Sequence, residues 1–237
     1  MRVGIHQPMY LPWLGFFDRI HRCDVFVLLD NVPYSKNYFI NRNKIKMTNG
    51  WTWLTVPVLT SGLFGQLIKD VQIDNKTQWC KTHWKSIYYS YKKAPHFSKH
   101  VNFFEDFYAK EWACLAEVNQ TLLTFVLNTL GIKTRIIKAS ELNVPGKKEE
   151  LILNICKGLN ADEYLSGPDG VKYLNLDLWR ENGIKVMFHN YRHPEYPQLH
   201  GKFIPQMSII DLLFNCGDDS LRTLSSNQPT DSPEALG

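Results

Sequence analysis

Two short apolar segments near the start of the chain constrain its fold more than any other feature. The first is Val3-Gly4-Ile5-His6. The second, Asp24-Val25-Phe26-Val27-Leu28-Leu29-Asp30, is a near-continuous apolar run between two aspartates. A run without polar alternation suits a strand buried on both faces, as in a parallel sheet. Between them, Leu14, Phe17 and Ile20 recur at helical spacing, and Pro12 stands where a helix-opening proline is favoured. Residues 2–30 therefore predict a compact βαβ unit. The joint between its first strand and its helix gathers His6, Gln7, Tyr10 and Trp13 among two prolines, Pro8 and Pro12. Open α/β sheets bind ligands beyond the carboxyl ends of their strands, so this joint is the first place to look for a site.

The rest of the chain extends the pattern. Residues 38–47 and 51–57 flank Asn49-Gly50, a strong hairpin turn, and predict a hairpin inserted after the second strand. Leu67–Ile73 reads as another strand. Helices are expected over Thr77–Lys93, His100–Tyr108 and Glu111–Leu130, with Pro95 as a break and Gly131 as the C′ residue. The α/β alternation then resumes: strand Lys133–Lys138, helix Lys148–Leu159, strand Glu163–Ser166, helix Lys172–Glu181 and strand Lys185–Tyr191. A last helix begins at Ser208, a serine suited to the N-cap. The expected fold class is α/β: a Rossmann-like, mainly parallel sheet with helices on both faces, a β-hairpin insertion and a helical insertion at about 77–130. No interdomain linker interrupts it. Residues 1–224 are expected to form a single domain, and the polar segment 225–237, with its two prolines, a disordered tail.

Composition narrows the function classes. The chain has 237 residues, 44% hydrophobic and 21% charged, enough for a sizeable core. Its net charge of +4 suits an anionic small molecule, and no Lys/Arg-rich run makes a nucleic-acid arm. The five cysteines, Cys23, Cys80, Cys114, Cys156 and Cys216, are widely spaced with no CxxC, which fits neither a disulfide framework nor a zinc site. No signal-peptide pattern follows Arg2, and no apolar run approaches the ~18 residues of a membrane span. A cytoplasmic location is expected.

Four stretches could carry chemistry. His6-Gln7-Pro8-x-Tyr10 with Trp13 lies at the first joint, where His6 could act as general acid, base or phosphate ligand and the following helix N-terminus favours anions. Asp30, at the end of the second strand, could bind a sugar hydroxyl or act as a base. Beyond it, Lys36 and Asn41-Arg42-Asn43 add positive charge, with Arg42 offering a planar fork for phosphate or carboxylate. Solvated-turn roles account as well for the two asparagines. Ser166-Gly167-Pro168-Asp169-Gly170, followed by Tyr173, has small residues that admit a ligand to backbone N–H groups, though it is neither a Walker loop nor GxGxxG. In the loop 188–203, His189, His193 and His200 are irregularly spaced and lack a carboxylate pair. An aromatic lid is therefore expected there rather than a metal site. No serine or cysteine nucleophile motif occurs.

The segments Gln7-Pro8-x-Tyr10-Leu11-Pro12-Trp13-Leu14-Gly15-Phe16-Phe17, Asp24-x-Phe26-Val27-x-x-Asp30, Asn41-Arg42-Asn43-x-Ile45, Trp53-Leu54-Thr55-Val56-Pro57, Lys93-Ala94-Pro95 and Ser208-Ile209-Ile210-Asp211-Leu212-Leu213 together resemble the WbqC-like protein family. The resemblance runs from about Arg2 to about Leu224. It implies a role in bacterial surface-polysaccharide (O-antigen) biosynthesis, with amino-acid transfer onto a sugar, for instance of glycine, as the implied reaction. The positions it carries over are Gln7, Tyr10, Asp30, Asn41 and Arg42. A more distant likeness, to pantothenate-synthetase-like nucleotidylyltransferases, rests on a first strand running into a histidine-bearing turn. His6 is followed by Gln7, Pro8 and Met9, so the HxGH motif is incomplete, and no KMSKS-like loop is evident. That likeness implies a fold and not adenylylation.

The resulting expectation is a transferase that moves an acyl or aminoacyl group onto a nucleotide-linked or lipid-linked amino sugar. Asp30 or His6 would be the base, and Gln7, Asn41 and Arg42 would bind anionic or carbonyl groups. The donor stays open among an aminoacyl-adenylate formed in place with ATP and Mg²⁺, an aminoacyl-tRNA and an acyl carrier. The alternatives are an ATP-dependent nucleotidyltransferase and a non-catalytic sugar-nucleotide-binding protein.

Overall fold

The computed structural model describes residues 1–226 and 228–233. The chain begins β1 (Arg2–His6), α1 (Leu14–His21), β2 (Val25–Leu28), then an antiparallel hairpin, β3 (Arg42–Met47) and β4 (Gly50–Thr55). Three helices follow, α2 (Trp79–Tyr91), α3 (Phe97–Ala109) and α4 (Leu115–Leu130). The alternation resumes with β5 (Arg135–Lys138), α5 (Ala139–Leu142), α6 (Lys148–Gly158), β6 (Glu163–Ser166), α7 (Leu176–Glu181) and β7 (Lys185–Phe188). Helices α8 (Ile209–Cys216) and α9 (Ser220–Ser225) follow. The main sheet has the order β5-β2-β1-β6-β7, with every neighbouring pair parallel. The protein is thus α/β and Rossmann-like, with the small hairpin as a separate two-stranded sheet.

Strand alternation divides the core in two. Val3, Ile5, Val25, Val27, Tyr164, Val186 and Phe188 face one layer, formed with α6 and α7. Phe26, Leu28, Leu165 and Met187 face the other, formed with α1 and with the helices α2–α4 and α8. On this face β1 presents Gly4 at its centre and the His6 ring, packed on Phe16, at its end. A Cβ on Gly4 would stand 2.7 Å from the Phe26 ring and 2.8 Å from the Cys23 sulfur. Gly4 thus leaves the space that Phe26 fills.

The long connection between β2 and β5 is held by polar clamps as well as by apolar packing. Asp211 of α8 is fully buried. It accepts hydrogen bonds from the Tyr91 hydroxyl (2.9 Å), the Tyr196 hydroxyl (2.8 Å) and the Gln198 amide (2.7 Å). The Tyr91 oxygen in turn accepts from the Lys46 backbone N–H, tying α2 to β3. Burial raises the Asp211 pKa, and the three donors oppose that rise.

Several elements depart from sequence expectation, each for a local reason. Leu67–Ile73 is not a strand. It contains a short 3-10 turn, Ile68–Asp70, and its flanks bridge singly to separate segments: Leu67 to Pro33, Gln72 to Cys114, Ile73 to Val58. No single neighbour offers it a continuous edge. The helix expected from Lys172 starts only at Leu176, because Asn175 caps it by accepting from the Leu178 N–H, and a 3-10 turn, Pro168–Lys172, precedes it. β7 stops at Phe188, where its partner β6 ends at Ser166. Beyond Ser225 the described residues dock on the body. Asp231 pairs with both Arg2 (2.8 Å) and Arg22 (3.0 Å), and Ser232 bridges to Phe188. Residue 227 and residues 234–237 of the expected disordered tail lie outside the described part.

Gly4→Ala tests the packing between β1 and β2. The methyl group must displace the buried Phe26 ring or the Cys23 side chain, and overpacking of this kind costs about 1–3 kcal/mol. The expected outcome is a lower denaturant midpoint at unchanged slope.

Candidate functional site

The strand order makes the site. β2 and β5 lie on one side of β1, and β6 and β7 on the other. Chain connections leave β1 and β6 in opposite directions, so a crevice opens beyond their carboxyl ends. A cleft of about 690 Å³ occupies that position, within the range of small-molecule sites. His6 and Trp13 line it from the first joint, Gly167, Pro168, Asp169, Gly170 and Tyr173 from the loop after β6, and His189 to Arg192 from the segment after β7. A side cavity of about 340 Å³ shares His6, Tyr38, Tyr164 and Tyr173 with it and adds Gln7.

The first joint is rigid. Leu11, buried just before Pro12, has φ 43°, a left-handed conformation that costs a leucine roughly 1–2 kcal/mol. Its carbonyl accepts from the Asn43 amide at 2.7 Å. The Tyr10 N–H bonds the Phe39 carbonyl, and the Ile209 N–H bonds the Pro12 carbonyl. The hairpin and α8 therefore fix the direction in which His6 and Trp13 enter the cleft.

His6 Nδ1 lies 2.8 Å from the Gln7 carbonyl. A carbonyl only accepts, so Nδ1 carries the proton and Nε2 keeps its lone pair. Burial pushes the His6 pKa down to about 3, and the positive charge of Arg19 adds to the effect. The ring is a neutral acceptor throughout the physiological range.

Arg19 was not visible as a site residue in the sequence. Helix α1 is buried from Leu14 to Ile20, so Arg19 and Asp18 are carried inside with it. Asp18 is well paired: Oδ2 accepts from Arg22 Nε and from His189 Nε2, both at 2.7 Å. Arg19 is 5% exposed and lines the cleft. Among the described residues its side chain has one hydrogen bond, a long one of 3.5 Å from Nη2 to the Ile5 carbonyl, and Nε has no partner. Its guanidinium carbon stands 5.5 Å from the centre of the Phe26 ring. Among the described residues no carboxylate pairs with it. Burial lowers its pKa, and a buried cation without a counter-ion is strongly unfavourable. The available signal was a charged pair in the middle of an otherwise apolar helix.

Of the residues singled out in the sequence, the structure brings His6, Gln7, Trp13, Gly167 and Tyr173 to the cleft and its side cavity. Ser166 is fully buried behind the Gly167 loop, its hydroxyl 3.1 Å from the Gly167 carbonyl. Others lie elsewhere. Tyr10 has no exposed surface, and its hydroxyl bonds Tyr108 (2.6 Å) and His83 (2.9 Å) within the helical core. Asn41 is buried, its amide donating to the Val56 carbonyl. Both asparagines of the Asn41-Arg42-Asn43 segment therefore support backbone rather than sit in a solvated turn. Arg42 stacks 4.4 Å over the Trp53 ring and donates to the Asn37 carbonyl, on the hairpin. Lys36 is exposed. Asp30 faces a different cavity, of about 260 Å³, at the ends of β2 and β5. Met9 and Phe16 line both cavities and form the wall between them. Its two oxygens accept from the Ser140 N–H (2.9 Å) and hydroxyl (2.7 Å), so the carboxylate caps α5.

Among the described residues no group of three or more His, Cys, Asp or Glu is placed to hold a metal ion. No helix of the described part is long and apolar enough to cross a membrane.

Fold and cleft together define an α/β protein with an open crevice at the switch point of a parallel sheet. The chain belongs to the WbqC-like protein family, which it matches over residues 7–223. It is 37% identical over 221 residues to uncharacterized protein Rv1507c of Mycobacterium tuberculosis, covering 92% of this chain and 95% of that protein. No solved structure matches it.

The state of His6 has a measurable consequence. An unfolded histidine titrates near 6.5, and folded His6 near 3. Between these values the unfolded chain binds more protons, so stability falls as pH drops from 6.5 toward 3. His83, pushed down to about 4 by burial, adds a loss of the same sign. Chemical denaturation of wild type and His6→Asn at pH 7 and pH 4.5 isolates the His6 share. The wild type is expected to lose more stability on acidification than the variant.

Proposed function

We propose that the protein is a transferase of bacterial surface-glycan biosynthesis, moving an acyl or aminoacyl group onto the amine of a nucleotide-linked or lipid-linked amino sugar. The glycan context rests on the resemblance carried by the opening motif and on membership of the WbqC-like family. The observation that carries the chemistry is His6. Its proton is held on Nδ1, and Nε2 is left as an acceptor at the end of β1, in a cleft large enough for a sugar nucleotide; burial and the Arg19 charge lower its basicity, and an anionic substrate beside Arg19 would restore part of it.

In this reading the sugar amine attacks the carbonyl carbon of an activated donor. A C–N bond forms and the bond from carbonyl carbon to leaving group breaks. The amine loses its proton to His6 Nε2, which passes it to the leaving group. Trp13, Tyr38 and Tyr173 offer flat faces for a sugar ring or base, and Gln7 offers an amide to the polar end of the substrate. His6 is preferred to Asp30 as the base, because both Asp30 oxygens are engaged by Ser140 on the far side of the Met9–Phe16 wall.

The test incubates the purified protein with UDP- and dTDP-linked amino sugars and, in parallel, with an aminoacyl-adenylate, an aminoacyl-tRNA and an acylated carrier. Mass spectrometry reads the acylated sugar. His6→Asn is expected to slow transfer by about 10²–10⁴-fold with sugar-nucleotide binding retained. Undiminished transfer by His6→Asn removes His6 as the base. ATP-dependent release of pyrophosphate without an acylated product would favour nucleotidyl transfer, and binding without turnover with every donor would favour a non-catalytic binding protein.

A further inference from the structure

We propose that Arg19 is the anchor of a diphosphate subsite at the floor of the cleft, between the end of β1 and the Gly167–Gly170 loop. The inference rests on the cleft named above as the binding site, but not on acyl transfer being the reaction. Three independent features of the structure meet at this point.

The first is the state of Arg19 itself. A guanidinium has five N–H donors in a planar fork that matches the oxygens of a phosphate. Here that fork is buried, lines the cleft, and uses one long bond to the Ile5 carbonyl. Its neighbour Asp18 does not neutralise it, since that carboxylate is turned to Arg22 and His189. The charge is therefore kept inside the protein with donors to spare.

The second is the loop in front of it. A Cβ on Gly167 would stand 2.7 Å from Arg19 Nη1, closer than a carbon can sit to that nitrogen. Glycine at 167 lets the loop backbone come this close to the guanidinium, and any side chain there would press on it.

The third is the charge around the cleft. Arg192 lines the same cleft, is exposed, and makes no ion pair among the described residues. The carboxylate on the lining, Asp169, is engaged by Lys172 at 2.6 Å. One buried and one exposed arginine on a single cleft fit a ligand carrying two negative charges better than a lone carboxylate. The stacking surfaces of Trp13, Tyr38 and Tyr173 lie on the same cleft for the group attached to the diphosphate.

Calorimetric titration of the full chain with inorganic pyrophosphate, UDP, uridine and acetate tests the proposal. Pyrophosphate and UDP should bind, and uridine and acetate should bind at least about tenfold more weakly. Arg19→Met should weaken pyrophosphate and UDP about 100-fold. It should also raise the melting temperature of the ligand-free protein, because an unpaired buried charge is replaced by an apolar chain of similar length. Gly167→Ala keeps the arginine but its methyl group must push the guanidinium aside, and should weaken the same two ligands. Failure of wild type to bind pyrophosphate and UDP overturns the proposal. So does undiminished binding by Arg19→Met or by Gly167→Ala, or equal binding of UDP and uridine. Diphosphate binding without transfer to any amino sugar would sink the transferase reading alone. Transfer to a sugar substrate with unchanged KM in Arg19→Met would sink the subsite alone.

Discussion

The sheet depends on β1 being hydrogen-bonded on both sides. It pairs with β2 on one edge and β6 on the other, and β5 and β7 attach only through those two. A strand so placed is covered on both faces: Val3 and Ile5 fill one, and Gly4 on the other makes room for the Phe26 ring. The same placement opens the cleft. Connections depart from β1 and β6 to opposite sides, and the crevice between them is lined by the residues that follow each strand.

Buried charge around α1 sets the character of that cleft. Asp18, Arg22, His189 and Asp231 form a network in which each charge has a partner, and Asp231 holds its own segment against Arg2 and Arg22. Arg19, one residue away, stands outside the network and beside the cleft. Burial drives the His6 ring toward its neutral form, and the Arg19 charge pushes in the same direction. An anion brought to Arg19 would reduce that second effect, so ligand binding and the basicity of His6 are physically linked.

The legible part of the candidate cleft was the part governed by local rules. His6, Gln7 and Trp13 could be placed because a strand end followed by a helix has one outcome in a parallel sheet. Gly167 and Tyr173 could be placed because a second strand ends just before them. Tyr10, Asn41 and Arg42 were attractive for their chemistry, yet packing of the hairpin and helices α2–α4 against the sheet decided their use. Tyr10 became the partner of His83 and Tyr108, and Asn41 a support for the Val56 carbonyl. Arg42 settled on Trp53. The segment beyond Ser225 read as disordered on composition alone. The docking of Asp231 and Ser232 needs Arg2, Arg22 and Phe188, which lie far away in sequence.

By itself the sequence determined the α/β class, the parallel core strands and the joint at residues 6–13. These follow from apolar periodicity and turn residues, which act over a few positions. Tertiary structure decided on which side of β1 the strand β6 would lie, and hence that the Gly167 loop would face His6 while Asp30 would open on a separate cavity. It also decided that Arg19 would be buried without a counter-ion. A side chain's partners depend on which distant segments are brought beside it, and only the assembled sheet with both helical layers fixes that.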